Sequence, residues 1–261
     1  MGISEKKVSI IETGGNKLIG VLRKPQGDGL LPSVILVPGF GSTMHEWKGS
    51  FDEIARHLNT IGVLTLQFEF DIFKSDGSQR ELPLVVRAQQ FIDIVRWLLA
   101  YPHVDANRIG LIAQSYGVPT VLTADLTIMK SIFLSCGVYD IDKSIRRVFK
   151  ERGVEINLEG DTTLPRSSGE WTTAGKDFWP SLASFDPVAR AAQLTQPVLM
   201  AHGDQDTKIS TKEAQNFFAV IPSKKKKLKI FKGGDHGIID VPRPMREEFL
   251  KEVVDWFKQT L

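Results

Sequence analysis

Arg108-Ile109-Gly110-Leu111-Ile112-Ala113-Gln114-Ser115-Tyr116-Gly117 couples an apolar strand to a sharp turn. A turn that passes from a buried strand straight into a helix, lifting a serine hydroxyl above a sheet, needs small residues two before and two after the serine. Ala113 and Gly117 meet that need. Pro119 falls in the first turn of the helix that should follow, where a missing backbone N–H is tolerated. Ser42, Ser75 and Ser135 fail the test because Phe40, Phe73 and Phe133 precede them by two, and Ser167 has Pro165 there. The competing reading makes Ser115 a helix cap and nothing more.

Working outward, the rest of the chain supplies a sheet for that turn. Residues 8–12 and 18–23 read as two strands joined at Gly14-Gly15-Asn16, which is hairpin chemistry. Ser33-Val34-Ile35-Leu36-Val37, stopped by Pro38-Gly39, is the apolar run of a strand buried on both faces of a parallel sheet. Runs at 62–66, 108–113, 130–134, 197–201 and 227–231 repeat it. Helices are predicted near 51–58, over 84–99, after Ser210 and over 245–257. In the second of these, Val85, Ala88, Phe91, Ile92, Val95, Leu98 and Leu99 keep helical spacing. Ser210 with Glu213 three residues on is a capping box. Alternating strands and helices after an antiparallel start predict an α/β fold, a mostly parallel doubly wound sheet with ligand chemistry at the carboxyl ends of its strands.

Segment 137–182 breaks the alternation. It is too long for an ordinary loop and carries Trp171, Phe178 and Trp179, so it is expected to form a lid on a single domain spanning 1–261, with these aromatics against the substrate. The run Lys224 to Lys227 reads as a solvated turn.

The 33 Lys and Arg balance 31 Asp and Glu, and a net charge of +2 gives no field that calls for nucleic acid or an anionic membrane. The lone Cys136 excludes an internal disulfide and a cysteine-rich zinc site and is compatible with a cytoplasmic location. The first residues enter a strand-like stretch without the apolar core of a signal peptide, and no run approaches a membrane span of roughly 20 residues.

A serine hydroxyl is a weak nucleophile until a base takes its proton. In a strand–turn–helix site of this kind the chain order is serine, acid, histidine. That leaves His202 and His236, since His45, His57 and His103 come too early. His202 ends a buried strand, where a structural role is expected. His236 lies in the glycine-rich Lys232-Gly233-Gly234-Asp235-His236-Gly237, a loop able to carry an imidazole over the sheet edge. His202-Gly203-Asp204-Gln205-Asp206 offers two acids for orienting it, and Asp235 is a weaker third because it adjoins the histidine. An oxyanion needs two N–H donors. Tyr116, directly after the serine, and Phe40, within Pro38-Gly39-Phe40-Gly41-Ser42, supply them.

With these residues in place the chain resembles the α/β-hydrolases, and among them the small bacterial feruloyl and cinnamoyl esterases and related carboxylesterases. The resemblance spans nearly the whole chain and rests on Pro38-Gly39-Phe40-Gly41, Ala113-Gln114-Ser115-Tyr116-Gly117, His202-Gly203-Asp204-Gln205-Asp206 and Gly234-Asp235-His236-Gly237, with Ser75-Asp76-Gly77 in support. It implies a triad of Ser115, Asp206 and His236, an oxyanion hole at Phe40 and Tyr116, and a small lid; no metal or organic cofactor is expected, since the acid-base and electrophilic groups needed are already present. Pro38 replaces a histidine usual in that family, Ala113 replaces a glycine, and 70–74 lacks its Gly-His-Gly. The implied activity is hydrolysis of a small-molecule ester through an acyl-serine. A serine peptidase acting on short or acylated peptides, and a binding protein without turnover, are the rival readings.

Overall fold

The computed structural model describes residues 2–166, 169–183 and 185–261; Ser167, set aside above, lies outside them. The chain runs β1 (Ile3–Ile11), β2 (Lys17–Pro25), β3 (Leu31–Val37), α1 (Ser50–Thr60), β4 (Leu64–Phe68), β5 (Gln79–Glu81), α2 (Leu84–Leu99), β6 (Val104–Gln114), α3 (Gly117–Thr123) and β7 (Ser131–Ser135). It continues through α4 (Ile141–Glu151), β8 (Thr162–Pro165), β9 (Trp171–Ala174), α5 (Phe178–Ala183), α6 (Pro187–Ala191), β10 (Val198–Gly203), α7 (Thr211–Val220), β11 (Lys226–Phe231) and α8 (Arg243–Thr260).

The main sheet has the order β1-β2-β4-β3-β6-β7-β10-β11. β1 and β2 form the hairpin, with Ile11 opposite Lys17, and β2 meets β4 antiparallel; every later neighbour is parallel. Because successive side chains of a strand point to opposite faces, both layers of the core can be read from β3. Val34 and Leu36 cluster with Phe51, Ile54 and Leu58 of α1 and with Phe249, Val253 and Phe257 of α8. Ile35 and Val37 cluster with Phe91, Ile94 and Leu98 of α2 and with Val118 and Val121 of α3. Burial of such side chains contributes about 1.5–3 kcal/mol each.

The strand order reverses at β3: the chain moves from β3 to β4 on one side and returns to β6 on the other. Loops leaving β3 and β6 therefore diverge and open a crevice above their carboxyl ends, which is where open α/β sheets hold ligands. Val37 is in register with Ala113, so Phe40 and Ser115 emerge at that crevice from adjacent strands.

Three local features differ from the sequence reading. The buried stripe of α2 runs through Leu84, Arg87, Phe91, Ile94 and Leu98, leaving Val85 53% exposed. The charge on Arg87 hid this stripe, because its partner lies elsewhere in the chain. Half of the capping box forms: Ser210 Oγ accepts from the Glu213 N–H at 3.3 Å, while Glu213 Oε2 accepts from Ser144 Oγ at 2.8 Å. Finally, β5, β9 and β8 make a separate three-stranded sheet that ties residues 79–81 to segment 137–182. Among the described residues no helix is long and apolar enough to cross a membrane.

Candidate active site

Ser115 sits at φ 54, a left-handed conformation that costs a non-glycine residue about 1–3 kcal/mol and persists only where its surroundings fix it. They do so on both sides: its N–H donates to Ser135 O at 3.0 Å, and its carbonyl accepts from Val118 and Val138. A Cβ on Gly117 would lie 2.5 Å from Val37 O, so α3 can start beneath the serine only with glycine there.

The loops after β10 and β11 touch at Gly203 and Gly234, where a Cβ on Gly203 would collide with the Gly234 carbonyl. Gln205 N–H donates to that carbonyl at 2.9 Å, and Asp204 N–H to Phe231 O at 3.1 Å. This contact sets Asp206 beside His236. Asp206 Oδ2 lies 2.7 Å from His236 Nδ1, and His236 Nε2 lies 3.0 Å from Ser115 Oγ. The other Asp206 oxygen accepts from the N–H groups of Lys208 and Ile209 at 2.8 and 3.0 Å. Burial works to raise the Asp206 pKa, but the hydrogen bond and charge of His236 and the Ile209 amide outweigh it and hold the carboxyl below its usual value.

The other acids are occupied with backbone. Asp204 Oδ1 accepts from Gly233 N–H at 2.6 Å, and Asp235 accepts from Ile239 and Asp240 N–H at 2.8 and 3.1 Å. His202 is fully buried, with Nε2 3.0 Å from Ile209 O and 3.3 Å from Asp206 Oδ2; burial pulls its pKa down. A carbonyl only accepts, so Nε2 carries the proton of the neutral ring.

The turn after β3 is clamped on every side except one. Arg87 Nη2 donates to Pro38 O at 2.7 Å and to Gly39 O at 3.3 Å. Its Nη1 pairs with Glu81 at 2.7 Å, both side chains having no exposure, and Glu81 Oε2 accepts from Gly41 N–H at 2.7 Å. Glu46 Oε1 accepts from Gly39 N–H at 2.5 Å. Among the described residues neither the Phe40 nor the Tyr116 N–H donates a hydrogen bond. Sequence reasoning missed Arg87 and Glu81. The available signal was an arginine at i+3 from Leu84 and i−4 from Phe91 on a helix's apolar face.

A cavity of about 400 Å³ opens onto Ser115 and His236, within the usual range of small-molecule sites. Phe40, Val138, Ile145, Val148, Phe149, Leu164 and Ile209 form its apolar wall, and Glu46, Asp235, Asp240, Arg152, Arg166 and Lys208 its charged part. Segment 137–182 thus contributes to the wall, but through Phe149 and aliphatic residues rather than the three aromatics expected. Trp171 is 60% exposed on β9, while Phe178 and Trp179 are buried away from the cavity surface. The latter two pack behind it, Phe178 5.8 Å from Phe40 and Trp179 5.1 Å from Phe149 between ring centres, and so hold the residues that line it.

Cys136, Asp206 and His236 bring three possible ligand atoms within 4.8 Å of one another. Burial pushes the Cys136 thiol up to about 12, and its sulfur accepts from Gly237 N–H at 3.1 Å. The thiol's evident role is to hold the loop that carries His236.

The sheet order, the strained serine at the end of β6 and the cavity over the strand ends define an α/β-hydrolase. Solved structures agree. Est1E from Butyrivibrio proteoclasticus is 21% identical, with a TM-score of 0.77 over 97% of this chain and 98% of that one. The same protein with ferulic acid bound gives a TM-score of 0.80 at 21% identity over 96% and 98%. A puromycin-hydrolyzing peptidase of Mycobacterium tuberculosis is 15% identical with a TM-score of 0.74, covering 98% of this chain but 39% of that larger one. At these identities the likeness is one of fold. The sequence itself goes further: residues 80–261 match the prolyl oligopeptidase family, and the chain belongs to it. No curated protein matches the chain in sequence. Family and fold together support a serine hydrolase of the α/β-hydrolase type.

Proposed function

We propose that this protein hydrolyses carboxylic esters of small molecules through an acyl-serine intermediate on Ser115. The observation that carries the reading is the continuous relay from Asp206 through His236 to Ser115, together with the Phe40 and Tyr116 amides that donate no hydrogen bond among the described residues. With the imidazole proton held on Nδ1 by Asp206, Nε2 accepts the serine proton as Oγ attacks the ester carbonyl. The Phe40 and Tyr116 N–H groups take the tetrahedral oxyanion, and removal of one such donor typically costs 10²–10³ in rate. His236 then protonates the leaving alcohol, and water repeats the cycle to release the acid. No step requires a metal or organic cofactor.

Segment 137–182 covers the acyl pocket as a lid on one domain, supported by Ile145, Val148, Phe149 and Leu164 on the cavity wall. The family of feruloyl and cinnamoyl esterases offers a template for the acyl group, in line with the full-length likeness to Est1E and the ferulic acid bound there. Family membership favours a second reading, cleavage of short or acylated peptides by the same relay. A panel of 4-nitrophenyl esters of graded length, methyl hydroxycinnamates and aminoacyl anilides separates the two. Ester turnover without anilide turnover is expected. Anilide rates equal to or above the ester rates would reverse the choice, and labelling of a residue other than Ser115 by an organophosphonate would remove both.

A further inference from the structure

Arg152, Arg166 and Lys208 come from three separate parts of the chain to one side of the cavity. Arg152 follows α4, Arg166 follows β8, and Lys208 is in the loop that carries Asp206. Arg166 and Lys208 are half-buried, yet neither has a carboxylate within 4.0 Å among the described residues. The Arg166 guanidinium instead donates to Phe40 O and lies 5.8 Å from the centre of the Phe40 ring, directly beside the turn that supplies the expected oxyanion donor. The main chain around Lys208 is tied down, its N–H to Asp206 and its carbonyl to Arg147, while its ammonium has no hydrogen-bond partner among the described residues. Cations withdrawn from water are normally paired. Of the acids that line the same cavity, Glu46 accepts from Gly39 N–H and acts on Arg166 and Lys208 only from beyond ion-pair distance, Asp235 accepts from two amides, and Asp240 accepts from Lys48 and Trp47.

We propose that Arg166 and Lys208, with Arg152 beside them, form a subsite for a carboxylate carried by the substrate, so that the preferred substrate is an anionic ester. The proposal rests on the assignment of this cavity as the substrate pocket. The apolar wall takes the carbon chain between the ester and the carboxylate, and the anion supplies the carboxylate partner that Arg166 and Lys208 lack among the described residues. Mutual repulsion has the corresponding effect on the free protein: burial first, then the charges of Arg152 and Arg166, pulls the Lys208 pKa down. An anion in the subsite reverses that repulsion and should strengthen with falling ionic strength.

Two ester pairs test the proposal and show which side of the scissile bond bears the charge. Monoethyl adipate against diethyl adipate places it on the acyl side, and 6-acetoxyhexanoate against its methyl ester places it on the alcohol side. At least one anionic ester is expected to exceed its neutral partner in kcat/KM. In Lys208→Met and Arg166→Met that ratio should fall by roughly 10- to 100-fold, the worth of a hydrogen bond to a charged group. Calorimetric titration of the unaltered protein and of both variants with adipate gives a readout that needs no turnover. Anionic esters no better than neutral ones, or adipate binding absent or insensitive to both substitutions, overturns the subsite even where Ser115 still reacts with an organophosphonate. Adipate binding without ester turnover would instead leave the subsite standing and overturn the esterase reading.

Discussion

Replacing Asp206 by Asn separates the orienting role of this residue from its role in the loop. One carboxylate oxygen accepts from the N–H groups of Lys208 and Ile209, and the amide oxygen of Asn can take over both bonds. The other faces His236 Nδ1 at 2.7 Å, and an amide NH₂ there donates where the carboxylate accepted. The imidazole then carries its proton on Nε2, which faces Ser115 Oγ as a donor and can no longer receive the serine proton. In serine proteases this change of tautomer lowers kcat about 10⁴-fold, equivalent to about 5.5 kcal/mol of transition-state stabilisation, and a loss of that size is expected here. His202 Nε2, 3.3 Å from the same oxygen, also meets the new NH₂, and one badly matched buried donor costs about 1–3 kcal/mol of stability. The sign with pH follows from the lowered Asp206 pKa. A carboxyl depressed on folding stabilises the protein above its unfolded value of about 3.9 and loses that contribution as the pH falls through the folded value. The stability gap between the unaltered protein and Asp206→Asn should therefore be full near neutrality and close in acid. Ester turnover and urea unfolding at pH 7 and pH 3.5, with Asp204→Asn alongside, measure all of this. Asp204→Asn should keep its turnover within threefold, since Asn can still accept from Gly233. A deep rate loss for Asp204→Asn with a mild one for Asp206→Asn would refute the reasoning.

Ser115→Ala should abolish ester turnover by about 10⁴-fold or more and lose organophosphonate labelling, with an unchanged circular dichroism spectrum. Arg87→Met strands the Glu81 carboxylate and two carbonyls in the core and should destabilise the protein by about 3–5 kcal/mol in urea titrations. The double variant with Glu81→Met should lose less than the sum of the two single changes, because the pair acts as one unit; additive losses would argue against the clamp. Cys136, with its thiol pushed up to about 12 and no exposure, should resist iodoacetamide at pH 8 until the protein unfolds, as followed by intact mass.

What the chain reveals by itself is set by short-range constraints. The apolar run at 33–37, the hairpin turn and the cap at Ser210 depend on neighbours a few residues away, and each forms close to its expected bounds. Small residues flanking Ser115 follow from the sterics of one turn, so the serine stands out without knowledge of the rest. The order of residues along the chain narrows the histidine and offers two main acids, but it does not bring either acid to the ring.

The tertiary structure decided the rest, because the partners lie far apart in sequence. Asp206 rather than Asp204 meets His236 since two glycines let the loops after β10 and β11 touch, a contact with no local signature. In the small sheet, β5 pairs with β9 about 90 positions further on, and its three- and four-residue strands are too short to show a period. Arg87, which went unremarked in the sequence, sits on the buried face of α2 because Glu81 and the distant carbonyls of Pro38 and Gly39 supply its partners. Trp171, Phe178 and Trp179 stood out by size, whereas the cavity wall was assigned to Phe149, Leu164 and the cations by packing. Residue type and spacing determine which side chains are able to do chemistry; only the approach of distant loops determines which of them do it together.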